Sequence, residues 1–291
     1  SVVAFTDHNV IVTHNDLSDD KFLAITAVEM DISDGKPNHQ FDKTYHLNFY
    51  SKDKDKTVSA IFNDKNIGNS SKYVTDEMRK HSFVGEYSTE CINEVIKRMS
   101  EDGFLATYNH PVWSLQDYSD YKDLRGLWGI EVYNNTCCYT GLNETDTPYI
   151  DKLRDSNKII PIAADDTHKE PYMFGGFSVI EAKKLEYGEI ISAMEKGDIY
   201  SSTNPLIYEV SVDNGILSVK CDPVMKIMLH SERRWSRVVS GDNITTAEFD
   251  IKDYLECNET CGAKNTYLWL TIEDVNGKKA WTRAYTPQEL K

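Results

Sequence analysis

Seven short apolar runs constrain the fold more than any other feature of the chain. They are residues 2–8, 25–32, 44–50, 104–110, 129–134, 159–165 and 176–182. Runs of this length with few polar interruptions are typical of strands covered on both faces. Amphipathic helical patterns lie between several of them, at 89–103, 151–157 and 187–198. This alternation predicts an α/β fold with parallel βαβ units, arranged either as a barrel or as an open sheet.

The pattern changes after residue 204, where apolar and polar residues begin to alternate. Residues 207–221 alternate around Asn214-Gly215, and residues 266–285 do so around Asn276-Gly277. Asn-Gly between alternating segments is the strongest short signal for a β-hairpin. Two more strands are predicted, at 226–231 and 247–254. The end of the chain is therefore predicted to be antiparallel.

These patterns divide the 291 residues into two predicted domains. Residues 1–204 form the α/β domain, and residues 205–291 form a small C-terminal antiparallel β domain. Within the first domain, residues 51–88 are rich in Lys, Asp, Ser and Asn and contain one predicted helix. We interpret them as an insertion on the rim, where loops help to select ligands.

Charge and cysteine content limit the partners and the compartment. The net charge of −15 repels phosphate backbones, and no apolar run reaches the ~18–20 residues that span a bilayer. We therefore expect neither nucleic acid nor membrane as a partner. The six cysteines, none in a CxxC pair, predict reduced thiols in a cytoplasmic protein. Because the first residue is Ser, the start of the chain is incomplete in this interpretation, and a signal peptide could precede it.

Residues that commonly ligate metals stand at or near the ends of the predicted strands. They are His8, Glu29, His46, His110, Asp166 and His168. The carboxyl ends of parallel strands meet at one face of a barrel, so these side chains are expected to converge. Imidazole and carboxylate together suit zinc, manganese or iron, and a carboxylate can bridge two ions. Asp165 would point away from the metal site or support one of the metal ligands. Trp113 and Tyr133 would form a wall of the pocket or belong to the core.

Each of these residues also has a purely structural interpretation. A lone histidine at a strand end usually makes a structural hydrogen bond, and His110 could simply shape a turn, since Pro111 biases it toward an extended conformation. The segment "ADDTH" could simply cap a helix. The six positions together carry more weight than any one alone. Cys137 is not expected to be a nucleophile, because no histidine lies near it in the pattern.

Several of these segments resemble the PHP (polymerase and histidinol phosphatase) superfamily of metal-dependent phosphoesterases. The matching segments are "FTDHN" (5–9), "AVEMD" (27–31), "YHLNFY" (45–50), "NHPVW" (109–113), "GIEVYN" (129–134) and "AADDTH" (163–168). Their order and spacing agree over residues 2–182. The resemblance implies a distorted (β/α)7 TIM-like barrel that holds up to three divalent metal ions at its carboxyl face.

The resemblance also implies roles for the individual residues. Glu29 would bridge two ions, and His46 and His110 would hold the second ion with it. Asp166 would bind the first ion, and His8 and His168 would bind the third. Glu29, Asp166 and His168 would thus act in catalysis, in which a metal-bound hydroxide attacks phosphorus. Arg125 and Lys169 are the nearest candidates for contacting a substrate phosphate, although Lys169 is more simply explained as solvated.

The chain departs from the family pattern at its start. Family members begin with a βα unit that carries a His-x-His motif, whereas residue 2 here already lies in the family's second strand. We therefore expect fewer than three metal ions (zinc, manganese or iron) and reduced activity. A missing edge strand would also favour self-association into a homo-oligomer.

Three functions are compatible with these patterns. The first is a metal-dependent phosphoesterase that hydrolyses a small phosphorylated metabolite. The second is a non-catalytic binding or scaffold protein that kept the fold but lost its metals. The third is an amidohydrolase-type enzyme that uses the same metal chemistry on a C–N or ester bond.

Overall fold

The computed structural model describes residues 1–155, 158–234, 236–256 and 266–290. The strands are β1 Val2–Phe5, β2 Leu23–Ser33, β3 Thr44–Ser51, β4 Phe104–Tyr108, β5 Gly129–Asn134, β6 Ile160–Ala164, β7 Phe177–Ile180, β8 Ile199–Ser202, β9 Ile207–Asp213, β10 Ile216–Ser231, β11 Arg237–Asp250, β12 Leu268–Glu273 and β13 Lys279–Thr282. The α-helices are α1 Asp76–Arg79, α2 Thr89–Glu101, α3 Tyr118–Tyr121, α4 Asn135–Tyr139, α5 Thr147–Leu153, α6 Tyr187–Lys196 and α7 Lys252–Leu255. Short 3₁₀ helices span Asn15–Leu17, His39–Phe41, Gly68–Tyr73 and Glu170–Tyr172. The α/β class is confirmed, and each of the seven apolar runs contains a strand.

The first sheet is mixed rather than parallel. Its six strands follow the order β1-β2-β3-β4-β5-β6. Strands β1 and β2 pair in parallel, as do β4, β5 and β6, but β3 is antiparallel to both of its neighbours. The prediction of uniformly parallel βαβ units is therefore wrong at β3. The connection from β2 to β3 covers residues 34–43, which is too short for the helical crossover of a dozen or more residues that parallel neighbours need.

The two faces of this sheet have different partners. On one face, Met30, Leu47 and Phe49 belong to a buried cluster that includes the apolar stripe of α2, as predicted for the helix at 89–103. On the opposite face, Ile25 and Ala27 pack in a cluster with Ile190, Ile191 and Met194 of α6. Side chains alternate along a strand, so Glu29 and Asp31 continue this second face beyond the apolar cluster. The polar part of the face is the region that carries the candidate site.

The second sheet joins the C-terminal strands to the earlier part of the chain. Its order is β11-β10-β12-β13-β8-β7, and β9 also pairs with β10. All of these pairs are antiparallel, as predicted for the C-terminal region. Strands β7 and β8 precede residue 204, so this sheet extends across the predicted boundary between the two domains. The division into two domains stays a prediction.

Both predicted hairpins form at their Asn-Gly pairs. Asn214 and Gly215 have φ of +50° and +78°, the left-handed conformation that a two-residue hairpin turn requires and that these residue types tolerate. The predicted strand at 226–231 is the end of the long β10. The predicted strand at 247–254 is only half correct, because β11 ends at Asp250 and α7 begins at Lys252.

Residues 51–88 pack over the carboxyl ends of β1 and β2. Phe62 and Met78 form a small buried cluster with Val10 and Val12. The Asn63 side-chain amide donates to the Asp31 carbonyl oxygen (2.8 Å). The insertion therefore lies beside the polar end of the first sheet.

Within the described ranges, no helix is both long and apolar enough to cross a membrane. Cys91, Cys137, Cys138 and Cys221 are free thiols, whereas Cys257 and Cys261 lie outside the described residues. Burial raises the pKa of the Cys137 thiol far above its ordinary value. This is consistent with the prediction that Cys137 is not a nucleophile, because the thiolate is the reactive form.

Candidate metal centre

Three of the predicted ligands form a tight, buried group. Glu29 Oε1 lies 2.9 Å from His46 Nδ1 and 3.5 Å from His110 Nε2. One ligand atom from each residue lies within 4.8 Å of the other two, and all three side chains are buried. We call Glu29, His46 and His110 the triad.

The antiparallel strand β3 is what brings His46 to the triad. His46 stands near the start of β3 and pairs with Asp31 near the end of β2. If β3 ran parallel to β2, a residue this early in β3 would lie at the other end of the strands, far from Glu29. His46 lies beside Glu29 as predicted, but it does so through an antiparallel strand and not through the meeting of parallel strand ends.

His110 is held in place through its own backbone. It follows β4 with a positive φ of +24°, a sparsely populated conformation for a residue with a side chain. Its backbone N–H donates to Glu131 Oε2 (2.9 Å), and the side chain of Ser114 lies 3.4 Å from its Nδ1. The carboxylate of Glu131 therefore anchors the turn that aims His110 at Glu29.

The triad is electrostatically coupled. Burial alone would raise the pKa of Glu29, but the two imidazoles outweigh it and hold that pKa well below its usual range. Burial alone would lower the pKa of His110, but Glu29 and Glu131 outweigh it and raise the pKa to about 9. Burial raises the pKa of Glu131 to about 8. The site is thus organised around one buried carboxylate that stays ionised.

The donor set and spacing of the triad fit a divalent metal ion. Nitrogen and oxygen ligands at about 2.0–2.2 Å from a tetrahedral ion lie about 3.3–3.6 Å from one another. The 3.5 Å separation between Glu29 Oε1 and His110 Nε2 lies in this range, whereas the 2.9 Å separation between Glu29 Oε1 and His46 Nδ1 is a hydrogen-bond distance. Two imidazoles and one carboxylate form a common ligand set of catalytic zinc sites, which leave a further position open.

His8 lies beside the triad without a hydrogen bond of its own. Its Nε2 is 3.7 Å from Glu29 Oε2, and its Nδ1 is 3.9 Å from Asp31 Oδ1. His8 Nδ1 is buried and has no hydrogen-bond partner among the described residues. Because an unsatisfied buried polar atom is costly, this nitrogen is suited to bind a ligand such as a metal ion.

Asp31 is fixed by amides from two other segments. The side chains of Asn9 and Asn66 both donate to its carboxylate, and Asn66 belongs to the 51–88 insertion. Burial alone would raise the pKa of Asp31, but His8 and these amides outweigh it and lower that pKa. Asp31 was not predicted as a site residue. Its position two residues after Glu29, which places both on one face of a strand, was the available signal.

Asp166 lies at the edge of the triad, and His168 contacts Asp166. Asp166 Oδ2 is 4.0 Å from His110 Nε2 and accepts from the Asn134 side chain (3.2 Å). His168 is exposed, and its Nδ1 lies 3.0 Å from the Asp166 carbonyl oxygen. This contact assigns the hydrogen to Nδ1 and leaves Nε2 available as a ligand or base.

The two candidate phosphate contacts are not brought to the centre. Arg125 is exposed ahead of β5, and its backbone N–H donates to the Asn93 side chain on α2 (2.7 Å). Lys169 follows His168 and is exposed, as predicted for a lysine whose side chain is surrounded by solvent. The role of either residue as a phosphate ligand stays a prediction.

A cavity of about 570 Å³ opens beside the triad. Its lining residues are His8, Asp31, Ser33, His39, Gln40, Asp42, Thr44, His46, Asn66, Trp113, Leu115 and Leu142. Trp113 was predicted as a pocket wall, and its ring lies 5.1 Å from the rings of both His46 and His110. The buried Glu144 accepts the backbone N–H groups of Val112 and Trp113, which positions this wall. Tyr133 is not among the lining residues.

Asp165 fastens the loop that follows the site. Its carboxylate accepts the backbone N–H groups of Phe174, Gly175 and Gly176, at 2.6, 2.8 and 2.9 Å. Asp165 therefore points away from the metal centre, which was one of its two predicted roles.

We expect Asp165→Ala to free this loop and to lower the free energy of unfolding by about 1–3 kcal/mol, because three backbone donors lose a charged acceptor. Hydrogen exchange at Phe174, Gly175 and Gly176 should become faster. The exposed Asp64→Ala is the matched control and should change neither measurement. Unchanged exchange in Asp165→Ala would show that water replaces the carboxylate without loss.

No protein-family model matches the chain, and the comparison with curated proteins gives no match either.

Proposed function

We propose that the chain is a divalent-metal-dependent hydrolase that acts on small phosphate esters. One observation carries the proposal: Glu29, His46 and His110 form a buried triad, and His46 also lines an open cavity. The resemblance of the strand-end motifs to the PHP superfamily supports the phosphate ester as the substrate class. It also supports interpreting the first sheet, together with β7 and β8, as a distorted barrel.

In this proposal the triad holds one metal ion, and His8, Asp166 and His168 provide further ligands. A divalent ion in such a site lowers the pKa of water and polarises a phosphoryl oxygen. Asp31 lies 3.9 Å from His8 and adds negative charge beside it, and Glu131 orients His110 through its backbone. Trp113 and Leu115 provide apolar surface in the lining of the cavity.

The net charge of the chain makes a metal more important for an anionic substrate. None of the cavity-lining residues that the structure describes is Lys or Arg. A phosphate group entering the cavity would meet carboxylates and imidazoles, so its charge needs cations that the protein side chains there do not supply.

The proposal predicts that activity depends on the metal. After mild dialysis, we expect at least one zinc, manganese or iron ion per chain by elemental analysis. Hydrolysis of p-nitrophenyl phosphate should stop when EDTA removes the ion, and it should return when Mn²⁺ or Zn²⁺ is added in excess.

The possible outcomes separate the three functions considered above. Absence of both metal and hydrolysis, even after metal addition, would overturn the proposal in favour of a non-catalytic binding protein. Metal-dependent cleavage of p-nitroacetanilide without cleavage of p-nitrophenyl phosphate would favour hydrolysis of a C–N bond instead.

A further inference from the structure

Three large apolar side chains are exposed in the lining of the cavity beside the triad. Trp113, Leu115 and Leu142 are 44%, 49% and 39% exposed, and all three line the cavity. They come from two separate segments, the turn that follows β4 and the segment that follows α4. Exposed apolar groups gathered at one concave site indicate a surface that binds a ligand, because leaving them in water is unfavourable.

The turn that carries Trp113 and Leu115 is held by hydrogen bonds. The Glu144 carboxylate accepts the backbone N–H groups of Val112 and Trp113, at 3.0 and 2.8 Å. The Leu115 backbone N–H donates to the Val112 carbonyl oxygen (3.2 Å). Leu115 has a φ of +58°, a left-handed conformation that is strained for a bulky side chain and that occurs where the surrounding structure enforces it. The two apolar side chains are therefore held in place at the cavity.

Trp113 connects this apolar surface to the metal centre. The centroid of its ring lies 5.1 Å from the ring centroids of His46 and His110, two members of the triad. The same side chain lines the cavity. The organic part of an ester whose phosphate is bound at the triad would therefore lie within reach of the indole ring.

The other lining residues favour neither an anionic nor a cationic organic group. None of those that the structure describes is Lys or Arg, so a second anionic group has no cationic partner. Asp31 already accepts the side-chain amides of Asn9 and Asn66. Asp42 already lies 2.9 Å from His39 Nδ1. Because burying a charge is costly without an available partner, an uncharged organic group is favoured.

We propose that Trp113, Leu115 and Leu142 select phosphate monoesters whose organic part is an uncharged aromatic ring. This inference rests on the proposed phosphoesterase function. The indole ring favours an aromatic ring over a saturated ring of similar size, because aromatic pairs attract each other beyond the effect of the apolar area that they bury. Trp113 is thereby assigned as a specificity-determining residue that takes no part in the chemistry at the triad.

The test uses phosphonates, whose C–P bond is not cleaved by ester hydrolysis, so that binding is measured without turnover. Calorimetry on the Mn²⁺-loaded chain would give dissociation constants for benzylphosphonate, cyclohexylmethylphosphonate, propylphosphonate, 4-carboxybenzylphosphonate and 2-aminoethylphosphonate. We expect benzylphosphonate to bind at least about threefold more tightly than the cyclohexylmethyl compound and at least about tenfold more tightly than the other three.

Two variants separate the aromatic ring of Trp113 from the apolar surface around it. Trp113→Leu should bring the affinities of the benzyl and cyclohexylmethyl compounds within about twofold of each other, because only the aromatic attraction distinguishes them. Leu115→Ala keeps Trp113 beside the triad and should weaken both ring compounds by about threefold, because apolar contact area is lost. Elemental analysis should find the metal content of both variants unchanged.

Leu17→Ala is the matched control for Leu115→Ala. Leu17 is 47% exposed, almost the same fraction as Leu115, but it does not line the cavity. It should leave all five dissociation constants unchanged. Equal effects of the two alanine variants would overturn the assignment of Leu115 to the ligand surface.

The remaining outcomes distinguish this inference from the proposed function. Binding of the cyclohexylmethyl compound as tightly as the benzyl compound would overturn the aromatic assignment, and tightest binding of the carboxylated or the amino compound would overturn the exclusion of a second charge. If p-nitrophenyl phosphate is hydrolysed but benzylphosphonate has no advantage over propylphosphonate, only this inference is overturned. If no ester is hydrolysed and none of the phosphonates binds, the phosphoesterase proposal falls, and this inference falls with it.

Discussion

Glu29→Gln should leave the chain unable to retain a metal ion. Glu29 Oε1 is the atom nearest to both histidine nitrogens of the triad, so the substitution removes the shared anionic ligand while preserving the size of the side chain. Changing a partner outside the ligand set already weakens metal binding by about 10–100-fold, so loss of a direct ligand should exceed about 100-fold. Elemental analysis after dialysis, with a competitive chelator titration, measures the effect.

The control for this experiment is Glu144→Gln. Glu144 is also a buried glutamate, but its oxygens accept the backbone N–H groups of Val112 and Trp113 rather than facing the triad. Its metal content should equal that of the unaltered chain. Equal metal retention by Glu29→Gln and the unaltered chain would rule out the triad as the metal centre.

The second large effect concerns the core that supports the site. Phe49 is fully buried in β3, in the cluster that includes α2. Phe49→Ala should lower the free energy of unfolding by about 3–5 kcal/mol, because a large apolar side chain is lost and a cavity remains. Urea denaturation followed by circular dichroism measures this change.

Phe174→Ala is the same chemical change in the opposite environment. Phe174 is 90% exposed, so its removal should shift the free energy of unfolding by no more than about 0.5 kcal/mol. Similar effects in the two variants would contradict the assignment of the α2-facing side of β3 to the core.

Local sequence pattern was sufficient for most of the elements. The stripe Ile92, Val95, Ile96 and Met99 predicted the buried face of α2, and the Asn-Gly pairs predicted both hairpin turns. These features depend on side-chain periodicity and on the φ preferences of a few residues, which are properties of short segments. The apolar runs located the strands for the same reason.

The site was predicted only in part. Glu29, His46 and His110 were identified because metal-ligating residue types stand at or near the ends of predicted strands and match the family motifs. Asp31, Glu131 and Glu144 were missed as site residues, because an acidic residue in a strand or loop has no distinctive pattern until its partners are known. Their partners, such as Asn66 for Asp31, lie far away in sequence.

The chain's own sequence determined which segments form strands and helices, where the hairpins turn, and which residues can ligate a metal. Only the tertiary structure decided the direction of β3, which sets His46 opposite Asp31 and beside Glu29. It also decided that Asn66 of the insertion contacts the Asp31 carboxylate. The physical reason is that strand direction, and the burial of a carboxylate, depend on contacts between segments distant in sequence, whereas strand and turn formation depends on neighbouring residues.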